Sequence, residues 1–303
     1  MEKIHYSGWD NCYRLSNGIV ELIITSDIGP RIIRCGFINE KNLFYENPQE
    51  TGRVGDNYWI SYGGHRFWHA PENPIRTYYP DNYPVKIEST DKGLRSVQKV
   101  EETTWIQKSI ELRIDNNNFI QIEHTLKNCG LWPVKLAAWA ISVMRPGGFA
   151  LLPLPDRGSH PQNLNPTSTL ILWPYTDLSD CRYKYEYEYI KVAQDPNVRT
   201  PQKIGVSSHV GWLAYFNDDT LFVKYSPQQN GMTYPDLNSN MEVFVNQKIL
   251  ELETLSPLVE IAPGNSINHK EIWAIKKMAP GRLDAEAIYQ IVCEIAPILQ
   301  ANM

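Results

Sequence analysis

One short segment of this chain has an unusual density of side chains able to do chemistry. Residues 62–72 hold two imidazoles, a guanidinium, an indole and a carboxylate, carried by His65, Arg66, Trp68, His69 and Glu72. A sugar site needs flat apolar surfaces for the C–H faces of the ring and planar polar groups for its hydroxyls. We therefore interpret the segment as a candidate sugar-binding site, with Arg66, Trp68 and Glu72 as ligand-binding residues and the two histidines as further polar groups.

The spacing of the two histidines also raises the question of a metal. His65 and His69 are four residues apart, the spacing of two ligands on one face of a helix. Gly63-Gly64 before them and Pro71 after them favour a loop, and a zinc site would need a third ligand nearby. We expect no metal and no other cofactor. The alternative for the segment is a packed aromatic loop in which Arg66 makes a structural ion pair.

A second group of polar side chains lies near residue 250. In a strand, Glu251 and Glu253 share one face, while Leu250 and Leu252 share the other. Two adjacent carboxylates away from a solvated edge raise the pKa of one of them, which gives a candidate general base. The alternative is an ordinary solvent-facing strand.

Three further patterns involve single residues or rows. His269, Glu271 and Trp273 alternate along a strand and predict a row that faces a ligand. His124 alternates with apolar residues, which predicts a histidine in the core. Asp236 lies in a turn after Tyr-Pro, where it either reaches a sugar hydroxyl or caps its own backbone.

Alternation with a period of two residues dominates the rest of the chain and predicts strands. A pair of strands in residues 18–37 is interrupted by Asp27-Ile28-Gly29-Pro30, which predicts a hairpin or a corner. Polar turns at residues 115–118 and 217–219 favour antiparallel neighbours. The other predicted strands are 104–114, 119–126, 136–144, 169–173, 183–192, 211–216, 220–225, 241–254 and 267–275.

Only the end of the sequence predicts a helix. From Asp284, apolar residues recur at steps of three and four, and the aspartate is suited to cap free amides. Residues 146–166 are rich in Pro and Gly and predict a loop. No βαβ rhythm, phosphate-binding glycine loop or internal repeat is visible. We expect an all-β protein, a large antiparallel sandwich with one C-terminal helix, in which residues 1–303 form a single domain.

Composition excludes several classes of function. The 303 residues carry a net charge of -5 and no run of Lys or Arg, so we expect no nucleic-acid partner. There is no apolar run long enough to span a membrane and no secretory pattern, so we expect a cytoplasmic protein without a membrane partner. Its five cysteines are scattered, which predicts free thiols.

Several motifs, in their order along the chain, resemble one family. They are Leu15-Ser16-Asn17-Gly18, then Asp27-Ile28-Gly29-Pro30-Arg31-Ile32, Gly63-Gly64 with Pro71, His124-Thr125-Leu126-Lys127-Asn128 with Trp132-Pro133-Val134, Leu252-Glu253-Thr254, and Pro263-Gly264. Together they resemble the galactose mutarotase-like superfamily, which includes the aldose 1-epimerases, and span nearly the whole chain. The resemblance implies a β-supersandwich with a sugar site on its concave face.

The resemblance also implies roles for residues. In the family's reaction a Glu removes the proton of the anomeric hydroxyl and a His protonates the ring oxygen, and Glu253 matches that Glu. Where the family has its His, this chain has residues 137–142, Ala-Ala-Trp-Ala-Ile-Ser. Trp139 is then a ligand-binding residue, because an indole is no proton donor at neutral pH. The acid would be His65, His69 or His269, or the protein does not interconvert anomers.

Three hypotheses follow, each with a small-molecule carbohydrate as the partner and without a cofactor. The first is an enzyme of the aldose 1-epimerase type, in which Glu253 is the base, one of the three histidines is the acid, and Arg66 and Trp68 position the sugar. The second is a non-catalytic carbohydrate-binding or sensing module. The third is a polysaccharide lyase or glycoside hydrolase on the same fold.

Overall fold

Two antiparallel β-sheets form the body of the structure, a computed structural model that describes residues 1–91, 93–279 and 283–303. The strands are β1 (Glu2–Tyr6), β2 (Trp9–Ser16), β3 (Val20–Thr25), β4 (Arg31–Phe37), β5 (His65–Ala70), β6 (Lys86–Thr90), β7 (Gly93–Val97), β8 (Ile106–Ile114), β9 (Ile120–Asn128), β10 (Val134–Met144), β11 (Phe149–Pro153), β12 (Thr169–Leu172), β13 (Tyr183–Tyr185), β14 (Tyr189–Ala193), β15 (Gln202–Ser207), β16 (Trp212–Asn217), β17 (Thr220–Tyr225), β18 (Met241–Val245), β19 (Leu250–Leu255), β20 (Val259–Ile261) and β21 (Ser266–Lys277). The helical segments are α1 (Pro235–Asn238) and α2 (Ala285–Ala301). This architecture confirms the predicted all-β sandwich with a C-terminal helix.

The two sheets have distinct strand orders. The first sheet runs β1-β2-β3-β4-β5-β10-β19-β18-β15-β12, with β20 paired to the start of β10. The second sheet runs β13-β14-β11-β16-β17-β21-β9-β8-β7-β6. Strands far apart in sequence therefore meet in the middle of the first sheet, where β5, β10, β19, β18 and β15 lie side by side.

Apolar side chains from both sheets fill the space between them. Leu22 and Leu252 of the first sheet and Leu112 and Phe222 of the second belong to one buried cluster. Burial of such side chains contributes about 1.5–3 kcal/mol each relative to exposure. This inter-sheet core holds the two layers together and fixes which face of each strand points inward.

Helix α2 covers the outer face of the second sheet. Asp284 caps it by accepting a hydrogen bond from the Ala287 backbone N–H at 2.9 Å, which satisfies one of the free amides of the first turn. Ile288, Val292 and Leu299 are buried against that sheet. Helix α2 does not cover the outer face of the first sheet.

Two segments predicted as loops contain strands. Residues 65–70 form β5, and residues 149–153, inside the Pro- and Gly-rich stretch, form β11. The prediction for residues 65–70 was wrong because Gly63 and Gly64 precede the strand and do not interrupt it. Both glycines have positive φ, and a Cβ on Gly63 would lie 2.0 Å from the Tyr45 carbonyl oxygen.

Two predicted strands are instead hairpins. Residues 183–192 divide into β13 and β14, and residues 241–254 divide into β18 and β19. In both cases the alternation continues on either side of a short turn, so the sequence pattern alone does not mark the reversal. Among the described residues, no helix has the length and apolar character needed to span a membrane.

Candidate functional site

Strand β5 directs its side chains alternately to two different environments. His65 and Phe67 point into the inter-sheet space, where Phe67 joins the core and His65 contacts His124. Arg66 and Trp68 point to the outer face of the first sheet, where Trp68 belongs to a separate apolar cluster. The residues that the sequence brought together in one segment are thus divided between two sites.

The first site is the interior cluster, which we define as His65, His124, Ser142, Lys224, Thr254, His269 and Glu271. All seven side chains are buried between the sheets. Two residues of the predicted row, His269 and Glu271, belong to it, and the third, Trp273, contacts it. That row does share one face of β21, but the face points into the inter-sheet space: Trp273 packs in the core, while Ile272 and Ala274 lie under α2.

Hydrogen bonds fix the tautomers of the first two histidines in this cluster. His124 Nδ1 lies 3.0 Å from the His269 carbonyl oxygen, so it carries the proton. His124 Nε2 then accepts from His65 Nε2 at 2.8 Å, and His65 Nδ1 accepts from the Ser142 hydroxyl at 2.9 Å. The Lys224 ammonium donates to Ser142 at 3.3 Å. The result is a directed chain in which each donor has an acceptor.

A second branch of the cluster ends on Glu271. His269 Nε2 lies 2.8 Å from the Thr254 hydroxyl, which donates in turn to Glu271 Oε1. The Lys224 ammonium lies 2.9 Å from the same oxygen, and the Trp273 indole donates to Oε2 at 2.8 Å. Glu271 is therefore charge-compensated and fully hydrogen-bonded.

This arrangement also decides how the cluster fits a metal. Ligand atoms of His65, His124 and Glu271 lie within 4.8 Å of one another. However, the two Nε2 atoms are joined by a hydrogen bond, and Lys224 already supplies the positive charge next to Glu271. The donor set is satisfied without an ion, so the residues do not fit a resident metal.

Burial keeps these imidazoles neutral. It lowers the pKa of His124 and of His269 to about 3 and that of His65 well below its ordinary value, and the Lys224 charge lowers the pKa of His65 further. His69 lies elsewhere in the interior, 3.9 Å from Glu101, and burial followed by the Lys108 charge lowers its pKa as well.

The second site is the outer-face cluster, which we define as Arg66, Trp68, Trp139, Lys203, Glu242, Glu251 and Glu253. Strand pairing assembles it, because Arg66, Ile141, Glu253, Glu242 and Gly205 lie directly opposite one another on five neighbouring strands. Trp68 and Trp139 form the next row. Facing residues on adjacent strands are close enough for their side chains to interact.

Glu253 is held by two donors in this cluster. The Trp139 indole N–H donates to Oε2 at 2.8 Å, and the Lys203 ammonium donates to the same oxygen at 2.9 Å. Within the described part of the chain, Oε1 accepts no hydrogen bond. Trp139, which stands where the resemblance places a histidine, thus donates to the glutamate that the resemblance matches and fixes one of its oxygens.

Lys203 joins two carboxyl groups. Its ammonium lies 2.7 Å from Glu242 Oε2 as well as 2.9 Å from Glu253, and 4.6 Å from the ring centres of Trp139 and Trp173. Burial acts to lower the pKa of Lys203, but the charges of Glu242 and Glu253 outweigh it and raise that pKa. The lysine is therefore a fixed cation.

Glu242 has the most perturbed protonation in the cluster. Burial raises its pKa to about 8; Lys203 opposes this shift, whereas Glu253 and Asp236 add to it. Burial and then the charge of Glu72 raise the pKa of Asp236, although Lys203 opposes this shift. The Lys203 ammonium thus lies beside two carboxyl groups, and a pKa of about 8 favours the protonated form of Glu242 at neutral pH.

Arg66 completes the floor of the site. It donates to Glu251 Oε1 at 2.8 Å and lies 4.4 Å above the Trp68 ring and 5.4 Å above the Trp59 ring. Glu251 and Glu253 do share one face, but each has its own cation: Arg66 for Glu251 and Lys203 for Glu253. The structural ion pair that the sequence left as an alternative for Arg66 is present.

The rim of the site is more exposed than its floor. Glu72 accepts a hydrogen bond from the Tyr78 hydroxyl at 2.5 Å. Burial raises the pKa of Tyr175 to about 12; the Lys203 charge opposes this shift, and the charges of Glu253 and Glu72 add to it. Asp236 belongs to α1, where it and Leu237 have φ of 50° and 56°. Left-handed backbone is unfavourable for leucine, and such strain is often retained at functional sites.

Sequence reasoning missed several residues of this site. Lys203 lies on β15 and Glu242 on β18, and these strands come close to β19 only when the sheet forms. Trp59, Trp173 and Tyr175 lie in loops. The alternation in residues 241–245 carried a signal for Glu242, since it places a carboxylate among apolar neighbours. Nothing local marks Lys203. Of the predicted site residues, Arg66, Trp68, Glu72, Trp139, Asp236, Glu251 and Glu253 come together, whereas His65, His69 and His269 lie inside.

Comparison with known proteins gives matches in structure only. No protein-family model and no curated protein matches the chain. The Slr1438 protein from Synechocystis sp. PCC 6803 has a TM-score of 0.60 at 9% identity, covering 91% of this chain and 100% of its own.

Two other matches have descriptive names. A galactose mutarotase related enzyme from Lactobacillus acidophilus has a TM-score of 0.55 at 10% identity, covering 90% of this chain and all of its own. The GalM/aldose epimerase homologue from C. elegans has a TM-score of 0.55 at 9% identity, with coverages of 89% and 99%. The chain therefore has the galactose mutarotase-like fold.

Proposed function

We propose that this protein is a sugar-binding enzyme of the aldose 1-epimerase type whose acid and base are both carboxyl groups. Glu253 is the base, and the pair formed by Glu242 and Asp236 is the acid. The observation that carries the proposal is Lys203, which joins a carboxylate to a carboxyl group whose raised pKa keeps it protonated. Two neighbouring carboxyl groups with different protonation are suited to serve as acid and base near neutral pH.

In the ring-opening step, one carboxyl group accepts a proton and the other donates one. Glu253 Oε1 takes the proton of the anomeric hydroxyl while the acid pair gives its proton to the ring oxygen, and the bond between C1 and that oxygen breaks. Rotation about the C1–C2 bond presents the other face of the aldehyde. Ring closure returns both protons to their starting groups. Asp236, which is half-buried at the rim beside the fully buried Glu242, is the member of the pair that meets the sugar.

Aromatic and charged groups of the same face support a carbohydrate ligand. The rings of Trp59 and Trp173 are half-buried around the cluster and are suited to the C–H faces of a sugar. Arg66, Trp68, Glu72, Trp139 and Glu251 form the binding floor and rim in this proposal. A cytoplasmic location is part of it, and five free cysteines in the described ranges support a reducing compartment.

The three histidines are not part of the proposed chemistry. His65, His69 and His269 are buried between the sheets, and burial lowers the pKa of each. A group that is neutral and has no path to the outer face is a poor acid for a ligand bound there.

Magnetisation-exchange NMR of the anomeric protons of aldoses tests this proposal. We expect protein-dependent exchange that Glu253→Gln reduces at least about 100-fold, the usual contribution of a general base, while sugar binding persists. Glu260→Gln, an exposed glutamate on β20, is the matched control and should retain the rate. Full activity in Glu253→Gln would rule out the assigned base.

A second candidate function is favoured by the same pair of carboxyl groups. Glycoside hydrolases also use one protonated and one ionised carboxyl group. Release of shorter sugars from an oligosaccharide, without exchange of the anomers of a free aldose, would select hydrolysis. Sugar binding with neither reaction would select a carbohydrate-binding module.

A further inference from the structure

A second concave region lies beside the candidate site. We call it the tyrosine cleft: it has a volume of about 700 Å³, and its lining includes Tyr78, Tyr79, Tyr83, Asn57, Gln98 and Lys99. Sites for small organic ligands range over about 300–1,000 Å³. The cleft is therefore large enough for a bound molecule of its own.

The cleft is continuous with the outer-face cluster through one side chain. Tyr78 lines the cleft, and its ring centre lies 4.8 Å from that of Trp68 and 5.6 Å from that of Trp59. Its hydroxyl donates to Glu72 at the rim. The cleft and the outer-face cluster are therefore adjacent across this rim.

The chemistry of the lining favours a neutral, hydroxyl-rich ligand. Lys99 and Glu102 balance each other in charge, and Asp81 is neutralised by Arg31 at 2.6 Å, so there is no excess charge to hold an ion. Gln98 is buried, and its Oε1 has no hydrogen-bond partner among the described residues. Such an acceptor is costly to leave unpaired and is suited to a hydroxyl donor.

Aromatic surface is also available. Tyr83 is 46% exposed and makes no hydrogen bond within the described residues, so its ring is free to stack. The combination of a tyrosine face with amide groups from Asn57 and Gln98 is suited to a pyranose ring.

We propose that the tyrosine cleft binds a second sugar residue, so that the substrate is a reducing disaccharide or longer oligosaccharide whose terminal, reducing residue lies in the outer-face cluster. This inference rests on the proposed function and deepens it by naming the substrate class.

Binding and exchange measured on matched sugars test it. Dissociation constants of glucose and galactose are compared with those of maltose, cellobiose and lactose by titration calorimetry. At least one disaccharide should bind about tenfold more tightly than its reducing-end monosaccharide, consistent with one stacked ring and one hydrogen bond. Tyr83→Ala should remove most of that gain and leave the affinity for the monosaccharide unchanged.

Controls separate this inference from the proposed function. Tyr187→Ala removes a tyrosine outside the cleft that is 57% exposed, compared with 46% for Tyr83, and should preserve the gain. Asn57→Ala, at an exposed position in the cleft, should reduce it. No gain for any disaccharide, or a gain that survives Tyr83→Ala, would overturn the inference even if anomer exchange of monosaccharides is found. A Tyr83-dependent gain without any anomer exchange would retain the cleft and refute the proposed reaction.

Discussion

Lys203 lies between two carboxyl groups of the outer-face cluster. It is almost completely buried and lies within 2.9 Å of both Glu242 and Glu253. Removing the charged partner from a buried pair leaves uncompensated charge, which costs about 3–5 kcal/mol. The lysine therefore stabilises the folded protein in addition to its role in the proposed site.

Replacing Lys203 tests this contribution to stability. We expect Lys203→Met to lower the free energy of unfolding in urea by about 3–5 kcal/mol. Adding Glu253→Gln should recover most of the loss, because the carboxylate left without its cation is then gone. A Lys203→Met protein as stable as the wild type would show that the three groups are not coupled.

The raised pKa of Glu242 predicts a dependence of stability on pH. Its pKa is 4.5 in the ordinary state and about 8 in the folded protein, so the folded state binds the proton more tightly. The stability it contributes is complete below pH 4.5 and is lost as pH rises through about 8. The free energy of unfolding of the wild type relative to Glu242→Gln should fall between pH 5 and pH 9. A constant or rising difference would contradict the shift.

At the scale of elements, the alternation of side chains along a strand decides which of the two clusters each residue joins. Strand β5 sends His65 to the interior cluster and Arg66 to the outer-face cluster, and β19 likewise sends Thr254 inward and Glu253 outward. A shift of one residue in register would exchange the two environments. The close approach of Gly63 and Gly64 to neighbouring backbone fixes the entry to β5.

The interior position of β21 predicts a structural role for its histidine. We expect His269→Leu to lower stability by about 1–3 kcal/mol, because the Thr254 hydroxyl loses its donor. The catalytic rate per folded molecule, measured by anomer exchange, should stay within about threefold of the wild type, since no step of the proposed reaction uses this residue. A folded His269→Leu protein with no exchange would return the histidine to the mechanism.

Alternation in the sequence gives the partners on a face but not the direction in which the face points. His269, Glu271 and Trp273 were predicted to share a face and do so, yet that face is interior. Glu251 and Glu253 share a face that is outer. Both rows read alike in sequence, because a buried polar network and a ligand site require the same residue types. Only the packing of the second sheet distinguishes them.

At the scale of the molecule, one core unites distant parts of the chain. The inter-sheet cluster contains Val20 near one end and Ile275 near the other, with residues of both sheets between them. The sites depend on this closure, since β5 pairs with β10 from a hairpin-rich region about 70 residues away.

This shared core predicts cooperative unfolding. We propose that residues 1–303 form one domain, and we expect a single transition in differential scanning calorimetry with equal calorimetric and van't Hoff enthalpies. Two separated transitions would indicate two domains instead.

The fold was more accessible to sequence reasoning than the site. Strand β17 and the helix after Asp284 were predicted close to their observed bounds, since period and capping are local signals. The site depends on Lys203, Glu242 and Glu253, which meet only when β15, β18 and β19 pair. No short stretch of sequence encodes that meeting.

The pH dependence of anomer exchange tests the central claim, a carboxyl group as the acid, most directly. Because Glu242 has a pKa of about 8 and acts when protonated, the wild-type rate should fall as pH rises through about 8. In Glu242→Gln the rate should be lower at neutral pH, and this falling limb should disappear. An unchanged rate and an unchanged limb in Glu242→Gln would contradict the account and assign the acid to another group.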